Sequence, residues 1–358
     1  MIGVPVNKEA AVPHPRPSSA PSPKRPARVR ALPAVLGAGL LVGAGCSEPF
    51  ADSALPTLEP PAVEPLPLGA VRLTLGPLDL KPGQEATRCV TAHLPTTIDT
   101  DVVQIDSTLS QTHHVIFYRE GVDRPDAPLH SCPPLDVLSG INPSRAPLYI
   151  GEVPKESFRL PDGVGYRLRA GQAYTIEGHF LNASAKTVQA SAELLLLPKP
   201  AGSSVQQADM LFLSATTQLG KKYDGISPGL PPAVGTVPTA TTIDPAFFGL
   251  PDDLTDVSYF ALTSHQHHLG TRVVVSRSTS LSEVGEPLYE NTDWEHPPLK
   301  RFASPPLTFQ HGEGFRWQCS YANSTKKYVT FGQSALTNEM CILWAYYYPA
   351  AGFRVYFQ

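Results

Sequence analysis

Charge is scarce in this chain: 17% of its 358 residues are Asp, Glu, Lys or Arg, and the formal net charge is −4. No block of one sign stands out. The basic stripe that would neutralise phosphates is missing, and nucleic acid is excluded as a partner. Amphipathic helix patterns are almost absent, so strands are left to build the core. Phosphate-binding glycine loops and internal repeats are absent too. The uncharged run at 31–45 (ALPAVLGAGLLVGAG) has 15 residues, short of the roughly 20 that span a bilayer as a helix.

Proline, by contrast, is abundant. The chain has 39, about twice the average share, and the excess is partly N-terminal. Lys24, Arg25, Arg28 and Arg30 precede the apolar run, an order of charge and hydropathy that reads as an export signal. The run ends in small residues at Cys46, which resembles a bacterial lipoprotein signal. Residues 1–46 are then the signal, Cys46 is the lipidated residue, and the protein is periplasmic or on the cell surface, with a lipid anchor as its only tie to the membrane. Ordinary cleavage near Ala44 is the alternative. Residues 47–70 read as a flexible Pro-rich tether. Beyond Cys46 stand Cys89, Cys132, Cys319 and Cys341, and an even number in an exported chain points to disulfides. Four cysteines allow three pairings. With two domains, the economical one is Cys89–Cys132 in the first and Cys319–Cys341 in the second.

Short alternating runs with Gly, Pro and Asn between them predict an all-β fold of two consecutive sandwich or jelly-roll-like domains. Strands are expected at 87–94, 102–107, 115–119, 173–182 and 189–197, then at 209–214, 257–263, 272–276, 315–321, 328–331 and 341–348. The Pro-Lys-Pro-Ala-Gly-Ser-Ser stretch at 198–204 divides a domain at 71–200 from one at 201–358. Residues 219–255, rich in Gly and Pro, read as a long loop of the second domain.

The second domain carries Thr263-Ser-His-Gln-His-His-Leu-Gly270 and, later, Asn338-Glu339-Met340-Cys341. In a strand His265 and His267 point to one face, which makes half a metal site. A thioether from Met340 would select copper, above all Cu(I). His268 faces the other way. In the first domain stand His113-His114 and His179. Adjacent strand residues face opposite ways, so His113 and His114 can share a metal only if the backbone bulges there. Three imidazoles suit copper and zinc about equally. Glu177, two residues from His179 on the same face, is a candidate to orient it. His93, His130, His296 and His311 read as non-ligands.

These motifs, in this order, resemble the copper type II, ascorbate-dependent monooxygenases, the family of peptidylglycine α-hydroxylating monooxygenase and dopamine β-hydroxylase. The resemblance covers roughly residues 70–358. It rests on His113-His114, on Leu160-Pro-Asp-Gly-Val-Gly-Tyr166 leading to His179, on His265-Gln-His267-His-Leu-Gly270, and on Glu339-Met340-Cys341 followed by Tyr346-Tyr-Tyr-Pro349. It implies two coppers per chain facing each other across an open cleft. His113, His114 and His179 would hold the electron-storing copper. His265, His267 and Met340, the catalytic set, would hold the copper that meets dioxygen and a small-molecule substrate. Ascorbate or another one-electron reductant would reset both. The Cys319–Cys341 pairing is implied as well. One departure concerns substrate: peptide-amidating members have Arg where Thr263 stands, and Asn and Tyr where Ile342 and Trp344 stand. Threonine cannot make the bidentate contact of an arginine with a carboxylate, so peptidylglycine is not the expected substrate. A copper-binding or storage protein without turnover, and a zinc hydrolase that makes no use of Met340, are the rival readings.

Overall fold

Alternation sets the first strand, β1 (Val71–Leu80), where Val71, Leu73 and Leu75 are buried and Arg72 and Thr74 exposed. The computed structural model describes residues 66–135, 145–199 and 204–358, except 217, 221–228, 248, 281, 284 and 303. The expected signal, Cys46 and most of the tether lie outside the described residues. Nine further strands follow β1 in the N-terminal half: β2 (Glu85–His93), β3 (Thr100–Ser110), β4 (Thr112–Glu120), β5 (Ala127–Ser131), β6 (Arg145–Gly151), β7 (Lys155–Arg159), β8 (Val164–Leu168), β9 (Ala173–Leu181) and β10 (Val188–Pro198). After β11 (Gln206–Gln207) come β12 (Asp209–Ser214), β13 (Thr239–Ile243), β14 (Ala246–Phe247), the short helix α1 (Asp252–Thr255), β15 (Ser258–His265), β16 (Gly270–Ser278), β17 (Pro287–Asn291), β18 (Lys300–Arg301), β19 (Gly314–Asn323), β20 (Ile342–Tyr348) and β21 (Arg354–Phe357).

The strands form two sandwiches, as the alternation predicts. In the N-terminal one, a sheet ordered β1-β10-β3-β8-β11 faces a sheet ordered β5-β2-β9-β4-β6. Leu73, Ile105 and Leu194 from the first and Val115, Phe117 and Ile176 from the second meet in its core. In the C-terminal one, β18-β15-β20-β12-β21 faces β13-β19-β16-β17, with Leu213, Leu343, Val273 and Trp317 between them. Cys89–Cys132 and Cys319–Cys341 are both bonded, the pairing expected for one disulfide in each half.

The sheet that carries β12, β15 and β20 is buried on both faces. Along β20 the odd residues Leu343, Ala345 and Tyr347 join the C-terminal core. The even residues Ile342, Trp344 and Tyr346 join the core of the N-terminal sandwich instead. This is why the strand reads as an unbroken apolar run rather than as an alternation. Polar ties cross the same junction: the Ile150 amide donates to the Tyr346 hydroxyl at 3.1 Å, and Arg301 donates to the Arg159 carbonyl at 2.7 Å. Both sandwiches fall within one compact unit, Val63–Gln358.

Two expectations change. Residues 328–331 form no strand; Val329 makes a single bridge with Leu230 and Phe331 another with Glu339. The 219–255 segment is not all loop, since β13, β14 and α1 lie in its described part. β13 (TATTI) is β-branched but short, and it lies at the edge of its sheet beside β19, so its periodicity is faint in the sequence.

Candidate metal centre

The N-terminal histidines sit where β4 meets β9. His114 lies opposite His179 in the register, and the register slips between Thr112 and His114. That irregularity is the bulge that two adjacent histidines require in order to turn toward one place. The preceding Gln111 has φ of 52°, part of the same backbone distortion. His113 and His114 have ring centroids 5.4 Å apart, and His114 and His179 5.1 Å. Glu177 does not orient His179, a correction to the sequence reading. It accepts from the Tyr118 hydroxyl and the Leu135 amide. The partner of His179 is Glu85, whose Oε1 lies 2.8 Å from Nε2. Glu85 is the diagonal cross-strand neighbour, since Thr87 stands opposite His179, and a glutamate is long enough to reach it.

In the C-terminal group strand alternation carries only as far as His265, where β15 ends. His267 follows in a turn closed by the Gly270 amide on the His267 carbonyl. That turn is held from below by Glu339, fully buried, whose carboxylate accepts from the amides of His267 (3.0 Å) and Leu269 (2.7 Å). A Cβ at Gly270 would stand 2.8 Å from the Gln266 side chain, so the glycine that ends the motif is a packing requirement. The His267 Nδ1–H donates to the Asn338 carbonyl at 3.0 Å, and His268 Nδ1 to the Ala335 carbonyl at 2.8 Å. Met340 is buried. It stands two residues before Ile342, the register partner of His265, and its own carbonyl accepts from the Tyr321 hydroxyl at 2.8 Å.

The two groups are not apart. The His113 ring lies 4.9 Å from that of His265 and 5.6 Å from that of His267, and His114 lies 5.1 Å from His265. One ligand atom from each of His113, His265 and His267 falls within 4.8 Å of the others. The open cleft implied by the resemblance is replaced by contact, because the apolar outer face of β12, β15 and β20 is packed against the N-terminal sandwich. Five buried ring nitrogens, His113 Nε2, His114 Nδ1, His179 Nδ1, His265 Nε2 and His267 Nε2, have no hydrogen-bond partner among the described residues. For His267 the carbonyl partner forces the proton onto Nδ1 and leaves a lone pair on Nε2. Buried imidazole nitrogens without partners are costly unless something else accepts the lone pairs, so this donor set fits a metal.

Electrostatics keeps four of these rings in their ligand form. Burial pushes His113, His114 and His267 well below the ordinary imidazole range, and the neighbouring imidazoles add to it. Burial brings His265 down to about 3. A metal needs neutral imidazole. Burial alone would raise Glu85, but the bonds from His179, Ser334 and the Ala335 amide outweigh it and hold the carboxyl at about 2.

Residues 230–358 match the family described as copper type II ascorbate-dependent monooxygenase, C-terminal domain. Over that stretch the chain is similar to the C-terminal domain of the copper type II ascorbate-dependent monooxygenases. Tyramine beta-hydroxylase of Caenorhabditis briggsae is 28% identical over 102 residues, a stretch that covers 28% of this chain and 17% of that protein. Within the matched stretch, Thr263 pairs with Trp344 and His265 with Ile342, so the three positions that depart from the peptide-amidating pattern surround His265. All three are buried, and Trp344 packs edge-on against Phe212 at 4.5 Å. Beside the cluster, a cavity of about 430 Å³ is lined by Gln111, Thr112, His113, Ser184, Trp294 and His296. Trp294 stands edge-on to His113 at 5.6 Å. The sequence reading missed Glu85, Glu152 and Trp294; single acids and a lone tryptophan in strand ends and loops carry no spacing signal.

The histidines read as non-ligands have other partners. His93 is the clearest: Asp126 takes Nδ1 and Asp123 takes Nε2, each at 2.7 Å. The bonds to Asp123 and then Asp126 raise its pKa above 6.5. A raised imidazole pKa stabilises the fold fully below the unfolded value, and the contribution is lost as pH rises through the folded value. The melting temperature of wild type relative to His93→Gln is therefore expected to be higher near pH 6 than near pH 9. An equal difference at both pH values counts against the clasp.

Proposed function

We propose that this chain is a copper-dependent monooxygenase that hydroxylates an activated C–H bond of a small organic molecule. The co-substrates are dioxygen and ascorbate or a similar one-electron reductant. Five buried imidazoles from both sandwiches, each with a ring nitrogen lacking a partner among the described residues, carry this reading. His113, His114 and His179 would hold the electron-storing copper, and His265, His267 and Met340 the copper at which dioxygen and substrate meet. Copper supplies one-electron redox chemistry and dioxygen activation when bound. The reaction consumes dioxygen, two electrons and two protons for each C–H converted to C–OH, with water as the second product. The chain's own part is to orient the rings, to keep them neutral and to exclude water from the cluster. Apart from Glu152, which bonds its Nδ1, His265 has the uncharged Thr263, Ile342 and Trp344 beside it, and the lack of a cation there speaks for an aromatic or aliphatic substrate and against peptidylglycine. The likeness to a tyramine beta-hydroxylase makes aromatic amines the first class to test.

Export is part of the same reading. Two disulfides are present, and no helix among the described residues is long and apolar enough to cross a membrane. Placement in the periplasm or on the cell surface through a lipid on Cys46 accords with both.

A copper-binding protein without turnover is favoured by one observation: His113, His265 and His267 lie close enough to hold a single ion. Copper content, the electron spin resonance spectrum of the oxidised protein, and ascorbate-driven oxygen uptake across a panel of small amines and hydrocarbons separate the readings. Two type II coppers with substrate-dependent uptake is the expected result. One copper and no product with any candidate supports the binding protein, and retention of zinc alone sinks both.

A further inference from the structure

Two carboxylates, Glu85 half-buried and Glu152 buried, leave the N-terminal sandwich and end on contacts with the C-terminal one. Glu85, on β2, bonds His179, and it also accepts from the Ala335 amide at 2.6 Å and the Ser334 hydroxyl at 2.7 Å. Glu152 follows the last residue of β6 and is 4% exposed. Its Oε1 lies 2.6 Å from His265 Nδ1, and the Thr263 hydroxyl donates to its Oε2 at 3.4 Å. His265 and His267 differ in this respect. The Nδ1 of His267 is held by Asn338 of its own sandwich, whereas the Nδ1 of His265 is held from the other one. Nothing in the chemistry of β15 requires this: the Asn338 carbonyl shows that the C-terminal sandwich can supply such an acceptor itself.

We infer that Glu152 is a positioning residue for His265 that acts across the junction of the two sandwiches. The metal-binding strength of the C-terminal histidine group is then coupled to closure of the N-terminal sandwich upon it. The inference deepens the copper reading and rests on it. A carboxylate on Nδ1 fixes the ring's orientation, places the proton on Nδ1 and makes Nε2 a better donor, and loss of such a contact typically weakens metal binding about 10–100-fold. If the sandwiches part, His265 loses this partner while His267 keeps its own. One half of the ligand pair is thereby made conditional on the neighbouring sandwich.

The test is competition between the full-length protein and a Cu(I) chelator, which resolves the bound coppers by affinity. The ion that Met340→Ala loses marks the C-terminal site. Glu152→Ala is expected to weaken that ion ~10–100-fold and to leave the other unchanged. Glu152→Gln, whose amide oxygen still accepts from Nδ1–H, is expected to recover most of the loss. Tyr346→Phe removes the hydroxyl that meets the Ile150 amide at the same junction but touches no imidazole, and is expected to leave both affinities as they are. Unchanged affinities in Glu152→Ala overturn the proposal. Equal weakening of both ions does so too, as does an equal effect of Tyr346→Phe, since each is the mark of a merely structural role. Wild-type protein that takes up no Cu(I) overturns the copper reading itself, a result seen before any variant is compared.

Discussion

Met340→Ala protein is expected to fold, to keep copper on His113, His114 and His179, and to lose ascorbate-driven oxygen uptake by more than a hundredfold. The side chain is buried, so truncation also costs about 2–5 kcal/mol of stability. The loss of turnover has a different cause. With only His265 and His267 left, the site lacks its soft ligand, and preference for Cu(I) goes with it. Even contacts outside the ligand set are worth about 10–100-fold in affinity or activity, and a ligand is worth more. Met340→His separates the two contributions: it restores three donors but not the sulfur, so copper returns while turnover stays low. Oxygen-electrode rates together with copper counts decide the matter. A Met340→Ala protein with wild-type oxygen uptake would show that the reaction makes no use of the thioether, and would remove Met340 from the ligand set.

The second large effect is expected at Glu339. Its carboxylate receives the amides of His267 and Leu269, and burial pushes its pKa up to about 8 in spite of the Leu269, His267 and Met340 amides that favour the anion. In Glu339→Ala two buried amides lose their acceptor. At about 1–3 kcal/mol for each unsatisfied group, the fold should lose roughly 2–6 kcal/mol. These two bonds hold the turn that aims His267, so copper binding at the C-terminal group should fall as well. Glu339→Gln keeps one oxygen and should lie between the two. Chemical denaturation and copper titration of the three proteins give the comparison. A Glu339→Ala protein with wild-type stability and full copper content is incompatible with this role.

What was legible in the sequence follows from periodicity and chemistry. β4, β9, β10, β12 and β20 were visible because their apolar residues alternate or run unbroken. β1 and β6 were not expected, and each contains a proline: Pro77 follows Gly76 in β1, and Pro147 lies in β6. Both are edge strands, and in both the register shifts beside the proline, between Leu75 and Leu78 and between Phe117 and Tyr118. A bulge at an edge tolerates the missing N–H, but a reader of the sequence sees only a broken run. At the metal centre, His113 and His114 announced the bulge that the register displays, and Met340 announced copper through its chemistry. The meeting of the two histidine groups had no local signal. It depends on which face of β20 lies against which sandwich, and a strand buried on both sides does not encode that in its alternation.

That doubly covered sheet has a consequence for how the protein can be cut. A fragment confined to 230–358, the stretch that matches the family, would omit β12, which pairs with β20 and β21 in the middle of the sheet. It would also bare Phe260, Ile342, Trp344 and Tyr346 to water. An open strand edge next to an aromatic patch is a template for aggregation, so the C-terminal portion is not a separable module, and truncation studies on it would report on insolubility rather than on copper.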